Sequence, residues 1–174
     1  MTSKAIDYIS KQTGADEPWA LHLSLLKPHP PLLAPEPYNT KYHPGSVDLP
    51  AHRGRDAQTE AALHPYLAAE HAEGTLRPLV QHDTGTVGDV SEQELRLLRS
   101  SYYGLISEVD DNVGRLLAAL SELGAEDKTL VIFTADHGEM LGDHWLRGKV
   151  GFHDAAFHVP MVVFDPSLPE GAGR

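Results

Sequence analysis

The 174 residues contain no cysteine. That excludes disulfides, thiolate metal sites and a cysteine nucleophile within this chain, and leaves its compartment open. No apolar run approaches the roughly 18 residues that a membrane span needs. The opening stretch MTSKAIDYISKQTGADEP has no apolar core and does not read as a signal peptide. Localisation therefore stays unknown, leaning cytoplasmic. Basic residues are scarce, with 14 Lys+Arg against 25 Asp+Glu and a formal charge of −11. An acidic surface repels a phosphate backbone, which argues against nucleic acid as the main partner. It leaves room for a small anionic substrate, because one metal ion and one lysine reverse the field locally.

What is present fits a globular chain. A composition of 41% hydrophobic and 22% charged residues is ordinary, and the length suffices for one domain with a core. The 11 histidines are many for this length. His43, His52, His64, His71 and His82 stand singly in polar surroundings and read as solvated loop residues.

Residues 4–12 predict a short helix, with Ile6 and Ile9 on one side and Gly14 and Pro18 ending it. Trp19–Leu26 alternates as a strand, with Trp19, Leu21, Leu23 and Leu25 on one face, and Lys27-Pro28-His29-Pro30-Pro31 stops it. Residues 30–88 form an irregular excursion rich in Pro, Gly and charge, with one helix expected over Ala57–Ala72. Order returns at Ser91. Ser91 and Glu94 make a capping box, and Leu95, Leu98, Tyr102, Leu105, Val109, Val113, Leu116, Leu120 and Leu123 recur at helical spacing until Gly124. A buried parallel strand is expected over 129–135, and a second strand over 160–164 closed by Asp165-Pro166. Helix, strand, loop, strand over 91–166 is the rhythm of an α/β fold.

The chemistry concentrates in TLVIFTADHGEMLGDHWLRGK, residues 129–149. An apolar β-branched run ends in Asp136-His137-Gly138, at the edge where open α/β sheets keep their sites. A carboxylate beside an imidazole suits a divalent metal; the alternative is a helix-capping aspartate with an incidental histidine. Gly138, Gly142 and Gly148 let the backbone close around a ligand. Asp143-His144 repeats the acid–imidazole pair and reads as a pair orienting the loop rather than as a second metal site. Lys149 follows this loop and is a candidate cation for an anionic substrate. His29, flanked by prolines that hold the backbone extended, is a candidate proton donor or anion contact, with Lys27 near enough to share the anion.

TADHGEMLGDHWLRGK resembles the metal-site segment of the sulfatase branch of the alkaline phosphatase superfamily, in which a strand ending in Asp-His or Asp-Asn precedes a glycine-punctuated loop and an active-site lysine. PWALHLSLLKPHPPLLAPEPY, YYGLISEVDDNVGRLLAAL and FHDAAFHVPMVVFDP resemble three further motifs of that family, in the same order, over most of residues 17–166. The His29 segment and the last strand look most similar to phosphonate monoester hydrolases and bacterial arylsulfatases, and iduronate-type sulfatases share much of both.

The resemblance implies an α/β alkaline-phosphatase-like sandwich, a mixed and mostly parallel sheet flanked by helices. It implies a hydrolase of sulfate esters or of phosphonate and phosphate esters with a divalent metal (Ca, Mg or Mn). Asp136 and His137 would bind the metal. Lys149 would bridge the transferring group and the leaving oxygen, His29 would contact the leaving group or a substrate oxygen, and Lys27 would help bind substrate. The partner would be a small anionic ester; a homo-oligomer is compatible with the sequence.

Family members also carry a C-x-P-S-R or S-x-P-S-R nucleophile motif and an N-terminal Asp-Asp metal pair. Neither is seen here, and Asp110-Asp111 lies in the amphipathic helix, where it reads as solvated surface. Residues 1–174 thus resemble a C-terminal portion of a sulfatase catalytic domain, and the isolated chain is expected to have little or no activity. Two readings stand beside the enzyme reading. One is a non-catalytic remnant or partner-binding domain that kept the fold; the other is a related phosphate-transferring enzyme with a Ser or Thr nucleophile.

Overall fold

A computed structural model of the chain describes residues 1–50, 55–74, 91–149 and 152–169. Its helices are α1 (Thr2–Gln12), α2 (Ala57–Ala61), α3 (Pro65–Gly74), α4 (Glu92–Glu122) and α5 (Asp154–Phe157), and its strands are β1 (Val131–Thr134) and β2 (Met161–Phe164). Among the described residues no helix is long and apolar enough to cross a membrane.

The capping box forms as the residues at 91–94 predict. The Ser91 hydroxyl accepts from the Glu94 N–H at 3.2 Å, and Glu94 Oε2 accepts from the Ser91 N–H at 2.8 Å. α4 then runs 31 residues and ends near Gly124, whose φ of 63° is left-handed. Its buried positions include Leu95, Leu105 and Leu120. Ser100 Oγ donates to the Tyr42 carbonyl at 2.6 Å, and Arg96 donates to the Val47 carbonyl, so the helix also fastens part of the proline-rich excursion. One apolar cluster (Ile9, Leu120 and Ala125, with Trp19, Leu116 and Val131 against it) joins α1, the end of α4 and β1. A second, Met140, Leu146 and Ala156 with Leu67 against it, lies under the loop that follows β1.

Four expectations are corrected. Trp19–Leu26 has no ladder partner among the described residues, although Trp19, Leu23 and Leu25 are half-buried and Ala20, His22 and Ser24 exposed, as the alternation requires. The single helix over 57–72 is two helices: Pro65 opens α3, because a proline lacking an N–H is tolerated in a first helical turn and not in an interior. The strand at 129–135 is shorter and pairs antiparallel with β2, in the register Val131↔Phe164 to Thr134↔Met161. The chain leaves and re-enters this ladder at the same end, so β1 and β2 are joined as a long hairpin rather than by a crossover. Neither strand is buried within this chain: Ile132 is 54% and Val163 51% exposed.

Asp110 and Asp111 are exposed, as read from the sequence, but Asp111 Oδ2 also accepts from Tyr38 Oη at 2.7 Å. The rest of the excursion beyond residue 74 lies outside the described residues.

Candidate active site

β1 stops at Thr134, and Asp136 and His137 emerge as the long hairpin begins. His137 Nδ1 lies 2.8 Å from the Gly138 carbonyl. A carbonyl only accepts, so Nδ1 carries the hydrogen and Nε2 keeps its lone pair. Metal-binding histidines are held in this way, one nitrogen donating to a backbone carbonyl and the other turned to the ion. Asp136 Oδ1 accepts from the His137 N–H at 3.0 Å, and Asp136 Oδ2 lies 3.5 Å from His137 Nε2. Two donors at that separation fit neighbouring corners of one coordination sphere with donor distances of about 2.0–2.6 Å. Lys149 Nζ donates to His137 Nε2 at 2.9 Å, so the ammonium takes the lone pair from which a bound cation would displace it. Among the described residues no third His, Asp or Glu joins this pair to make a fuller metal site.

The loop between His137 and Lys149 is held from within. Met140 N–H donates to the Gly148 carbonyl at 2.9 Å, and Glu139 Oε1 accepts from the N–H groups of Leu141 and Gly148. Burial pushes the Glu139 carboxyl up, against the pull of these two hydrogen bonds. Beside it, burial raises the Tyr102 phenol to about 12. Arg99 Nη1, reaching from α4, donates to the Leu141 carbonyl at 3.1 Å. Gly138 N–H donates to the Ala156 carbonyl at 2.7 Å, and a Cβ at Gly138 would stand 2.0 Å from the Ala155 carbonyl oxygen, so only glycine fits.

His144 orients the loop, as expected of it, but through an unforeseen partner. Its Nδ1 lies 2.6 Å from Oε1 of the buried Glu60 on α2, and its ring stacks on His153 at 4.1 Å. Trp145 Nε1 donates to the Arg55 carbonyl at 2.7 Å, and Arg55 Nη1 is 3.8 Å from Glu60 Oε2. The hydrogen bond with His144 holds Glu60 below the ordinary carboxylate range, while burial pushes His71 and His153 down. His71 is therefore no freely solvated loop histidine: its Nε2 is buried and, among the described residues, has no hydrogen-bond partner.

Lys27 and His29 make their hydrogen bonds within the proline-rich segment that carries them. His29 N–H donates to the Leu26 carbonyl at 3.0 Å, so the backbone turns here rather than running extended, as clustered prolines favour. The exposed His29 ring donates from Nδ1 to the Pro30 carbonyl at 2.8 Å, which leaves Nε2 with its lone pair. Lys27 Nζ donates to the carbonyls of Pro31 and Leu33, both at 3.4 Å. Among the described residues no hydrogen bond or ion pair links Lys27 or His29 to Asp136, His137 or Lys149. Direct polar contacts thus join three of the five candidates, Asp136, His137 and Lys149.

Glu139, Glu60 and Arg99 were not singled out from the sequence. Glu139 stands within the glycine-punctuated run and was open to suspicion from its position. Glu60 was not, since 84 residues separate it from His144.

The sulfatase family model matches residues 1–171. The chain belongs to the sulfatase family. It is 40% identical to a multifunctional alkaline phosphatase superfamily protein of Trinickia caryophylli, over 99% of this chain and 33% of the relative. It is 32% identical to human iduronate 2-sulfatase, over 99% of this chain and 32% of that enzyme. The crystal structure of a phosphonate monoester hydrolase of Agrobacterium radiobacter superposes with a TM-score of 0.88 at 41% identity, covering 99% of this chain and 34% of that one. This sulfatase-family chain therefore has the alkaline-phosphatase-like α/β fold, of which the β1–β2 ladder is one antiparallel pair, and it spans about a third of the length of these relatives.

Proposed function

We propose that the protein carrying this chain is a metal-dependent hydrolase of sulfate esters or of phosphonate and phosphate esters. The observation that carries the reading is the convergence of Asp136 Oδ2 and Lys149 Nζ on His137 Nε2, at 3.5 and 2.9 Å, in a chain of the sulfatase family. Asp136 and His137 would hold a divalent cation, Ca, Mg or Mn, which when bound polarises the oxygens of the transferring group. In such a transfer, negative charge gathers on the non-bridging and leaving oxygens, and positive groups fixed beforehand favour the transition state over the ground state. Lys149 supplies one such charge. His29 would contact the leaving group or a substrate oxygen, and Lys27 would help retain the anionic ester. Residues 1–174 form part of one catalytic domain. The nucleophile lies outside them, because neither C-x-P-S-R nor S-x-P-S-R occurs in this sequence.

The test is Asp136→Ala in the complete enzyme, assayed with an aryl sulfate and an aryl phosphonate ester while cation binding is followed by calorimetry. Loss of both turnover and cation binding is expected. Wild-type binding in the variant would remove Asp136 from the ligand set. A complete wild-type protein that cleaves neither ester would favour a fold-retaining, non-catalytic partner domain.

A further inference from the structure

We infer that Glu139 is the positioning residue for Lys149: its carboxylate clasps the two ends of the 141–148 loop and thereby sets the lysine against His137. Asp136, His137 and Lys149 lie on opposite sides of this loop in sequence, and something must hold its base closed. One oxygen, Glu139 Oε1, accepts from both Leu141 N–H, the first residue of the loop, and Gly148 N–H, the last. Gly148 is held on its other side as well, since its carbonyl accepts from Met140 N–H at 2.9 Å. With both backbone groups engaged and φ at 77°, Gly148 has one orientation in which to deliver the next residue. That residue is Lys149, and its Nζ reaches His137 Nε2 at 2.9 Å.

The carboxylate is placed for this task and not for contact with substrate. Glu139 is turned into the protein with Met140 and Leu141, both buried, on its C-terminal side, whereas Asp136 is open to solvent. Both of its hydrogen bonds go to backbone donors, which have few other partners inside a loop this tight. Removing it leaves two amides unsatisfied at the base of the loop and frees Gly148 to reorient. A displacement of about 1 Å at a charged catalytic group is enough to cost roughly 100-fold in rate.

The inference is structural at its root and rests on the hydrolase reading only for its kinetic consequence, so the experiment has two parts. Amide exchange is measured on the complete protein as wild type, Glu139→Ala and Glu139→Gln. Gln retains the accepting oxygen and drops the charge. Leu141 and Gly148 amides are expected to exchange roughly 10–100-fold faster in Glu139→Ala and at near wild-type rates in Glu139→Gln. Unchanged protection in the Ala variant overturns the clasp, whatever the protein's activity. In the complete enzyme, Glu139→Ala should lower kcat by roughly 10–100-fold with KM little changed, and Glu139→Gln should restore most of it. In a Lys149→Ala background the further change Glu139→Ala should cost little, because residues acting through one another are not additive. Full additivity, or a Gln variant as slow as the Ala variant, would overturn the positioning role. An inactive wild type would count against the hydrolase reading and leave the exchange result to decide the clasp.

Discussion

Lys149 Nζ and His137 Nε2, twelve positions apart in sequence, stand 2.9 Å apart, with Asp136 Oδ2 3.5 Å from the same ring nitrogen. An ammonium held against an imidazole lone pair marks a point where the protein collects positive charge. In the complete enzyme Lys149→Ala is expected to reduce kcat by roughly 100–1,000-fold while KM shifts by only a few-fold, as for loss of one preorganised group at a developing charge. Single-turnover kinetics separate the chemical step from release. An unchanged single-turnover rate would return Lys149 to the surface.

Gly138 bears on stability as well as on the site. Its Cα faces the Ala155 carbonyl so closely that an added Cβ would stand 2.0 Å from that oxygen. The neighbour is backbone, which cannot swing aside as a flexible side chain would. Gly138→Ala should destabilise the chain by about 1–3 kcal/mol, the usual range for forced overpacking. Thermal melting reads this directly. A melting point within a degree or so of wild type would show that the α5 contact yields easily.

Acid should loosen the contact between α2 and the loop. Burial depresses His71 and His153 from an ordinary value of 6.5, so below that pH the unfolded chain binds protons that the folded chain resists. Stability from these two groups is complete above about pH 6.5 and declines as pH falls below it. Glu60, held below its ordinary 4.5 by His144, adds a contribution that is present above that value and is lost as pH falls through its lowered one. Glu139, pushed up by burial, acts in the opposite sense above its ordinary 4.5. The informative comparison is therefore between variants: His153→Phe keeps a ring to stack on His144 and should flatten the decline of the urea midpoint on acidification. Equal pH dependence in the two proteins would rule His153 out.

The β1–β2 ladder presents apolar side chains on both faces, among them Ile132, Val162, Val163 and Phe164, each between 45% and 58% exposed. Apolar sheet surface of this kind associates in water. Produced alone, the chain should self-associate at micromolar concentration, and pairing Ile132→Lys with Val163→Glu should suppress this. The two positions are direct cross-strand partners, so the new charges attract each other rather than split the ladder. Light scattering across a dilution series distinguishes the outcomes. A monodisperse wild-type chain would mean that the ladder is covered in another way.

The elements whose cause is local were legible in the sequence. The Ser91–Glu94 box and the three-and-four spacing of leucines specify α4 with no reference to the rest of the chain. α1 and the ends of both strands follow from similar short-range signals. Asp136, His137 and Lys149 were legible too, because an apolar strand ending in an acid–imidazole pair, and glycines before a lysine, are patterns written within twenty or so consecutive residues. Pro65 marks the break between α2 and α3 by a signal as local as any cap.

Tertiary structure decided what depends on distant partners. Trp19–Leu26 alternates like a strand, but a strand requires a neighbour to bond, and alternation does not supply one. The antiparallel pairing of β1 follows from where the hairpin returns, at Met161 beside Thr134, and an apolar run does not state its direction. Glu60 reads as one more charge in an irregular stretch until folding sets it 2.6 Å from His144. The sequence by itself determined the chemical groups and their order along the chain. Folding decided which of them meet, because a contact between residues 84 positions apart depends on the path of everything between them.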